Sequence, residues 1–261
     1  MERLKGMGYD GVEIPLFNLK PDLYTALGKQ LDKIGLQRTG VTVRGAEDDP
    51  MSQDPAVRAK GVANNKLALD CCRAGGMTIL AGPYHSAIGL FSGAGPTGDE
   101  RKRAADSMRE VAEHAGRCGV TLAVEYLNRF ECYLLTCAED SVRFVNEVNH
   151  PACRAMWDCF HAHIEEKDTA GAIRHMAPVM AHVHISENDR STPGRGQVSW
   201  KATFDTLKAV NYDGWMTVEA FGHSLKELVA ATKIWRHMYE SEEKLASDAL
   251  AFMKGEVAKR G

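Results

Sequence analysis

TLAVEYLNRFE, residues 121–131, opens as a buried strand and then breaks its own pattern. Thr121-Leu122-Ala123-Val124 is an apolar run of strand type. Glu125 closes it, with Asn128, Arg129 and Glu131 crowded behind. A carboxylate at the end of a buried strand is costly unless a partner compensates it. One such residue is usually solvated or salt-bridged, but the same design recurs. Asp158 closes RAMWD (154–158), His184 sits in AHVHIS (181–186), and Glu219 sits in WMTVEAF (215–221). Each has a plain alternative. Asp158 could cap a helical turn near His161, and His184 could be a satisfied core histidine beside His182.

Outward from that stretch, short apolar strands alternate with longer amphipathic segments. The pattern predicts strands at 11–15, 37–43, 78–81, 121–125, 155–158, 181–185 and 215–221. It predicts helices at 23–34, 56–74, 99–118, 138–148, 169–176, 200–210 and 224–259. Glycines at Gly35, Gly75-Gly76 and Gly119 end helices just before the next strand. Such alternation is the signature of an α/β protein with a parallel sheet. GYDGVEIP (8–15) and NYDGWMTVEAF (211–221) echo one another, each with Tyr-Asp-Gly before a strand carrying Glu13 or Glu219. A repeated turn-strand unit is what a (β/α)8 TIM barrel would contain. Seven strands are predicted where that barrel needs eight. The opening MERLKGMGYDG reads as the tail of a helix, so the expectation is a TIM barrel lacking its first strand, with an exposed sheet edge open to pairing. No linker divides residues 1–261, which read as one domain.

The bulk numbers exclude several classes. Hydrophobic residues make up 44% and charged residues 26%, as in an ordinary globular chain. The net charge of -3 and pI near 6.4 argue against a nucleic-acid partner. No apolar run could span a membrane, and the N-terminus has no signal-peptide core. Seven cysteines, an odd number without a CxxC, read as reduced thiols of a cytoplasmic protein. GAGPTGDE (93–100) does not directly follow a strand, so it reads as a flexible loop, not a phosphate grip.

In a parallel barrel the functional groups collect at the C-terminal ends of the strands. Closure would therefore bring Glu125, Asp158, His184 and Glu219 together. Three carboxylates and one imidazole make a mostly oxygen site, suited to Mn²⁺, Mg²⁺ or Co²⁺. Behind these residues come Glu131, His161 and Arg190, on loops where substrate contacts belong. A surface salt-bridge network is the plain alternative, above all for Arg190 and Glu187.

These residues carry a family resemblance. VEYLNRFE, WDCFHAHIEE (157–166), HVHISENDR (182–190) and TVEAF together resemble the ketose 3-epimerases, the D-tagatose, D-psicose and L-ribulose 3-epimerase group of the xylose-isomerase-like TIM barrels. The late IWRHMY (234–239) looks like that family's last helix. The resemblance implies a divalent metal, usually manganese, on Glu125, Asp158, His184 and Glu219. It implies Glu131, His161 and Arg190 at one end of the sugar, and Glu125 and Glu219 as the acid/base pair. The expected reaction is C3 epimerisation of a free ketose through a cis-enediolate, with the metal as Lewis acid. The competing readings are an aldose-ketose isomerase, a hydroxypyruvate isomerase, an inosose dehydratase, or an inactive sugar-binding barrel. Members of the family are commonly dimers or tetramers, so a homo-oligomer is expected. The loop at 81–100 matches no named member closely, and the missing strand contributes to the family's pocket.

Overall fold

The computed structural model describes all residues, 1–261. Seven strands form one sheet, all parallel and in chain order: β1 (Gly11–Pro15), β2 (Gln37–Val41), β3 (Ile79–Gly82), β4 (Thr121–Glu125), β5 (Cys153–Asp158), β6 (Met180–Ile185) and β7 (Trp215–Val218). Helices fill the intervals: α1 (Glu2–Met7), α2 (Pro21–Ile34), α3 (Pro55–Gly75), α4 (Gly98–Cys118), α5 (Ala138–Val148), α6 (Cys159–Glu165), α7 (Thr169–Met176), α8 (Trp200–Ala209), α9 (Lys226–Thr232) and α10 (Glu242–Ala258). The sheet curls into a nearly closed barrel. β1 and β7 do not pair, so the ring is open by one position. That is the expected TIM-type barrel short of a strand.

Local chemistry sets the boundaries. Asp54 caps α3 through Ala56 N, with Pro55 in the first turn. Thr97 and Glu100 form a reciprocal capping box that starts α4, so the segment read as a loop over 93–100 becomes helical at Gly98. Gly76 and Gly119 end α3 and α4 in the left-handed region, at φ 70° and 68°. The long helix expected over 224–259 is two helices. Residues 233–241 run irregularly between α9 and α10, and IWRHMY falls in that stretch. Trp235 is 70% exposed there, so it is neither helical nor part of an inner face.

Side chains alternate across the strands, and this period of two makes two buried layers. Leu122, Val124, Ala155, Trp157 and Val183 belong to the main hydrophobic core. Ala81, Ala123 and Met156 form a small separate apolar plug. Two residues beyond Ala123 and Met156 on the same faces come Glu125 and Asp158. The plug therefore floors the ring of acidic strand ends. All seven cysteines are unpaired. No helix is long and apolar enough to cross a membrane.

A cavity of about 880 Å³ lies away from the strand ends. It fills the gap between β1 and β7, lined by Gly11, Glu13, Trp215, Thr217 and residues of α10 such as Leu250 and Met253.

Candidate metal centre

Glu125 ends β4, Asp158 ends β5, His184 lies next to the end of β6, and Glu219 directly follows β7. Each offers one ligand atom, and these four atoms lie within 4.8 Å of one another. Glu125, Asp158 and His184 are buried, while Glu219 keeps 21% of its side-chain exposure. His184 Nδ1 stands 3.5 Å from Asp158 Oδ2 and 3.5 Å from Glu219 Oε1. It is a buried nitrogen with no hydrogen-bond partner. A buried ring nitrogen without a hydrogen-bond partner is costly, and a cation between it and the carboxylates would resolve it. The donor set of three carboxylates and one imidazole fits a divalent ion.

Asp158 also does what its plain alternative foresaw. Its Oδ1 accepts from Phe160 N (2.7 Å) and His161 N (2.9 Å), capping α6, while Oδ2 faces the cluster. One carboxylate serves both purposes because each oxygen has its own lone pairs.

The loop residues converge unequally. Arg190, at φ 61°, donates from Nη1 to Asp158 Oδ2 (3.1 Å), Ser186 Oγ (3.0 Å) and Glu219, and its guanidinium lies 3.9 Å from the Phe160 ring centroid. His161 Nδ1 accepts from Asn128 N (2.9 Å), and its Nε2 lies 2.9 Å from Arg190 Nη2 and 3.6 Å from Glu125 Oε1. Glu131 stays outside the four-residue cluster and reaches it through Asn128, whose Nδ2 donates to Glu131 Oε1 (2.7 Å). The surface network considered for Arg190 and Glu187 is absent, because both are buried. Glu187 accepts from Gly194 N (2.8 Å), Val198 N (3.1 Å) and Trp200 Nε1 (3.0 Å), so it pins the loop carrying Arg190.

Electrostatics follow from this packing. Burial and repulsion from Glu219 and Asp158 push the Glu125 carboxyl well above its usual range. Burial also opposes ionisation of Asp158, but Arg190, His161 and His184 hold its carboxyl well below the usual range. Against burial, Glu13, Glu219 and Asp158 hold the His184 imidazole well above its ordinary value. Burial, then Arg190, lowers His161 to about 3, so it stays neutral.

Three contacts escaped sequence reasoning. Glu13 of β1 sits beneath the cluster, bonded to both His182 and His184. The echo between GYDGVEIP and NYDGWMTVEAF does not extend to the glutamates, since Glu13 is inside its strand and Glu219 lies past the end of its own. Thr39, the register partner of Glu13 on β2, bonds the same carboxylate. His85, after β3, lies 2.8 Å by Nε2 from the backbone oxygen of Glu125 and braces that strand end; burial lowers it to about 4. Position on a barrel strand was the available signal for Glu13. His85 lies in the loop at 81–100, where the sequence offered no close likeness to a named member.

A family model described as xylose isomerase-like TIM barrel matches residues 1–255. A probable ketose 3-epimerase of Synechocystis sp. is 30% identical over 96% of this chain and 87% of its own. An L-ribulose 3-epimerase of Mesorhizobium japonicum is 33% identical over 94% and 83%. The structure of a D-allulose 3-epimerase from Methylomonas sp. in complex with D-allulose superposes with a TM-score of 0.92 at 27% identity, over 98% of this chain and 91% of that one.

Proposed function

The chain belongs to the ketose 3-epimerase group of the xylose isomerase-like TIM barrels, a group of isomerases, and from that premise we propose that it epimerises free ketoses reversibly at C3. The observation that carries the reading is the convergence of Glu125, Asp158, His184 and Glu219 within 4.8 Å, with two glutamates among them. Inversion at C3 needs a base on one face of the carbon and an acid on the other, and Glu125 and Glu219 are the pair assigned to these roles. One carboxylate takes the C3 proton and the other returns one to the opposite face. Their order depends on which epimer is bound.

Glu125, Asp158, His184 and Glu219 would also hold a divalent metal, manganese first, with magnesium or cobalt as alternatives. A cation held there would supply Lewis-acid stabilisation of the charge that develops on the sugar oxygens during proton transfer. Arg190 supplies guanidinium donors, His161 a neutral imidazole, and Glu131 a carboxylate acceptor, a set suited to carbonyl and hydroxyl groups at one end of the sugar. Burial of three of the four cluster residues keeps bulk water from competing for the proton in flight. The reading includes a cytoplasmic homo-oligomer, dimer or tetramer, which sedimentation would test.

Metal-loaded protein incubated with D-fructose, D-tagatose and L-ribulose in D₂O, followed by proton NMR, tests the reaction. Loss of the C3 proton signal together with formation of the C3 epimer is expected. Exchange at C1 with formation of an aldose, or loss of water from the sugar, would replace this reading with an isomerase or a dehydratase.

A further inference from the structure

We infer that Glu13 is a positioning residue for the metal: it holds His184 by Nε2–H, so that Nδ1 is the nitrogen presented to Glu125, Asp158 and Glu219. The inference rests on the metal-dependent reading above and adds a residue that reading does not contain.

Both oxygens of the carboxylate are engaged. Oε1 lies 2.7 Å from His184 Nε2, while Oε2 lies 2.9 Å from His182 Nε2 and 2.7 Å from Thr39 Oγ1. All three partners can donate, and only an ionised carboxylate accepts from all of them at once. A metal-ligating imidazole offers one nitrogen to the metal and keeps its N–H on the other. With Nε2–H committed to Glu13, Nδ1 is the nitrogen left to take a cation, and Nδ1 is the buried atom without a partner. His182 packs against the His184 ring, with centroids 5.2 Å apart and planes at 76°.

The arrangement spans the barrel. Glu13 comes from β1 and His184 from β6, yet no backbone ladder closes the ring between β7 and β1. The bonds from Glu13 to His182 and His184 are therefore a direct side-chain tie across the interior. An anion behind a ligating imidazole also makes its free nitrogen a better donor, and losing such a partner typically weakens metal binding by about 10- to 100-fold.

Glu13→Gln tests this. Gln keeps the shape but cannot accept from three donors as an anion. Mn²⁺ binding is measured by calorimetry on the metal-free wild type, Glu13→Gln and Thr39→Val, with thermal unfolding of each recorded alongside. One Mn²⁺ per chain is expected for the wild type. Binding about 10- to 100-fold weaker is expected for Glu13→Gln, with kcat recovering toward wild type at saturating Mn²⁺ and the sugar KM unchanged. Thr39→Val should fall between the two. Wild-type affinity in Glu13→Gln, or a kcat that excess metal does not restore, overturns the inference and leaves the metal reading standing. A wild type that binds no Mn²⁺ overturns both. If Glu13→Gln does not fold, nitrogen-15 NMR of histidine in Mg²⁺-loaded wild type decides the matter. His184 protonated at Nε2 upholds the inference, and protonation at Nδ1 sinks it.

Discussion

Glu219→Gln keeps the side chain's shape and removes its capacity to take a proton. Activity should fall on the order of 10²- to 10⁴-fold while thermal unfolding stays near wild type, and near-normal turnover would end the acid/base assignment. The cluster also sets a pH dependence. Glu125 is pushed up by burial and by its acidic neighbours, and His184 is held up by Glu13, Glu219 and Asp158. Without metal both groups retain protons that a cation must displace. Mn²⁺ affinity should therefore rise with pH, with proton release visible as buffer-dependent binding heat; affinity flat across the neutral range would contradict this. The four cluster residues were legible because each interrupts or closes an apolar strand. Glu13 was not, because its reason lies 171 residues away at His184. Nothing between Val12 and Ile14 says which histidines it will meet.

At the scale of elements, the loop from β6 to α8 is held by one buried carboxylate. Glu187→Ala would take the acceptor from the N–H groups of Gly194, Val198 and the Trp200 indole, of which that of Val198 is buried. A loss of about 2–4 kcal/mol in urea unfolding is expected, with a loss of activity because Arg190 shares the loop. A change under about 0.5 kcal/mol would mean that water replaces Glu187 without cost. Strand positions were readable because their period of two and the helix-ending glycines before them agree. The end of the chain was misread because an amphipathic pattern runs on through residues 224–259. Two signals cut it: Lys233 turns left-handed at φ 61°, and Ser241 caps α10 through Lys244 N. Ser241 followed by Glu242 and Glu243 is a helix start, and hydrophobic spacing alone overlooks it.

The whole molecule is a ring with one seat empty. The number of strands was visible in the sequence; the cavity left by the open position was not, since it depends on how α10 packs beside β7. Backbone groups on the gap-facing edges of β1 and β7 have no ladder partner. Hydrogen exchange followed by mass spectrometry should find residues 11–15 and 215–218 exchanging faster than 121–125 and 153–158. Equal protection would mean that something covers these edges in solution. The cavity also changes what the flank of this barrel can do. Glu13 borders it on one side and faces His184 on the other. The permittivity of whatever fills that space, water or hydrocarbon, thus reaches the imidazole through a single anion. The grip on the cation can be tuned from the barrel's side wall, with nothing passing through the opening the sugar would use.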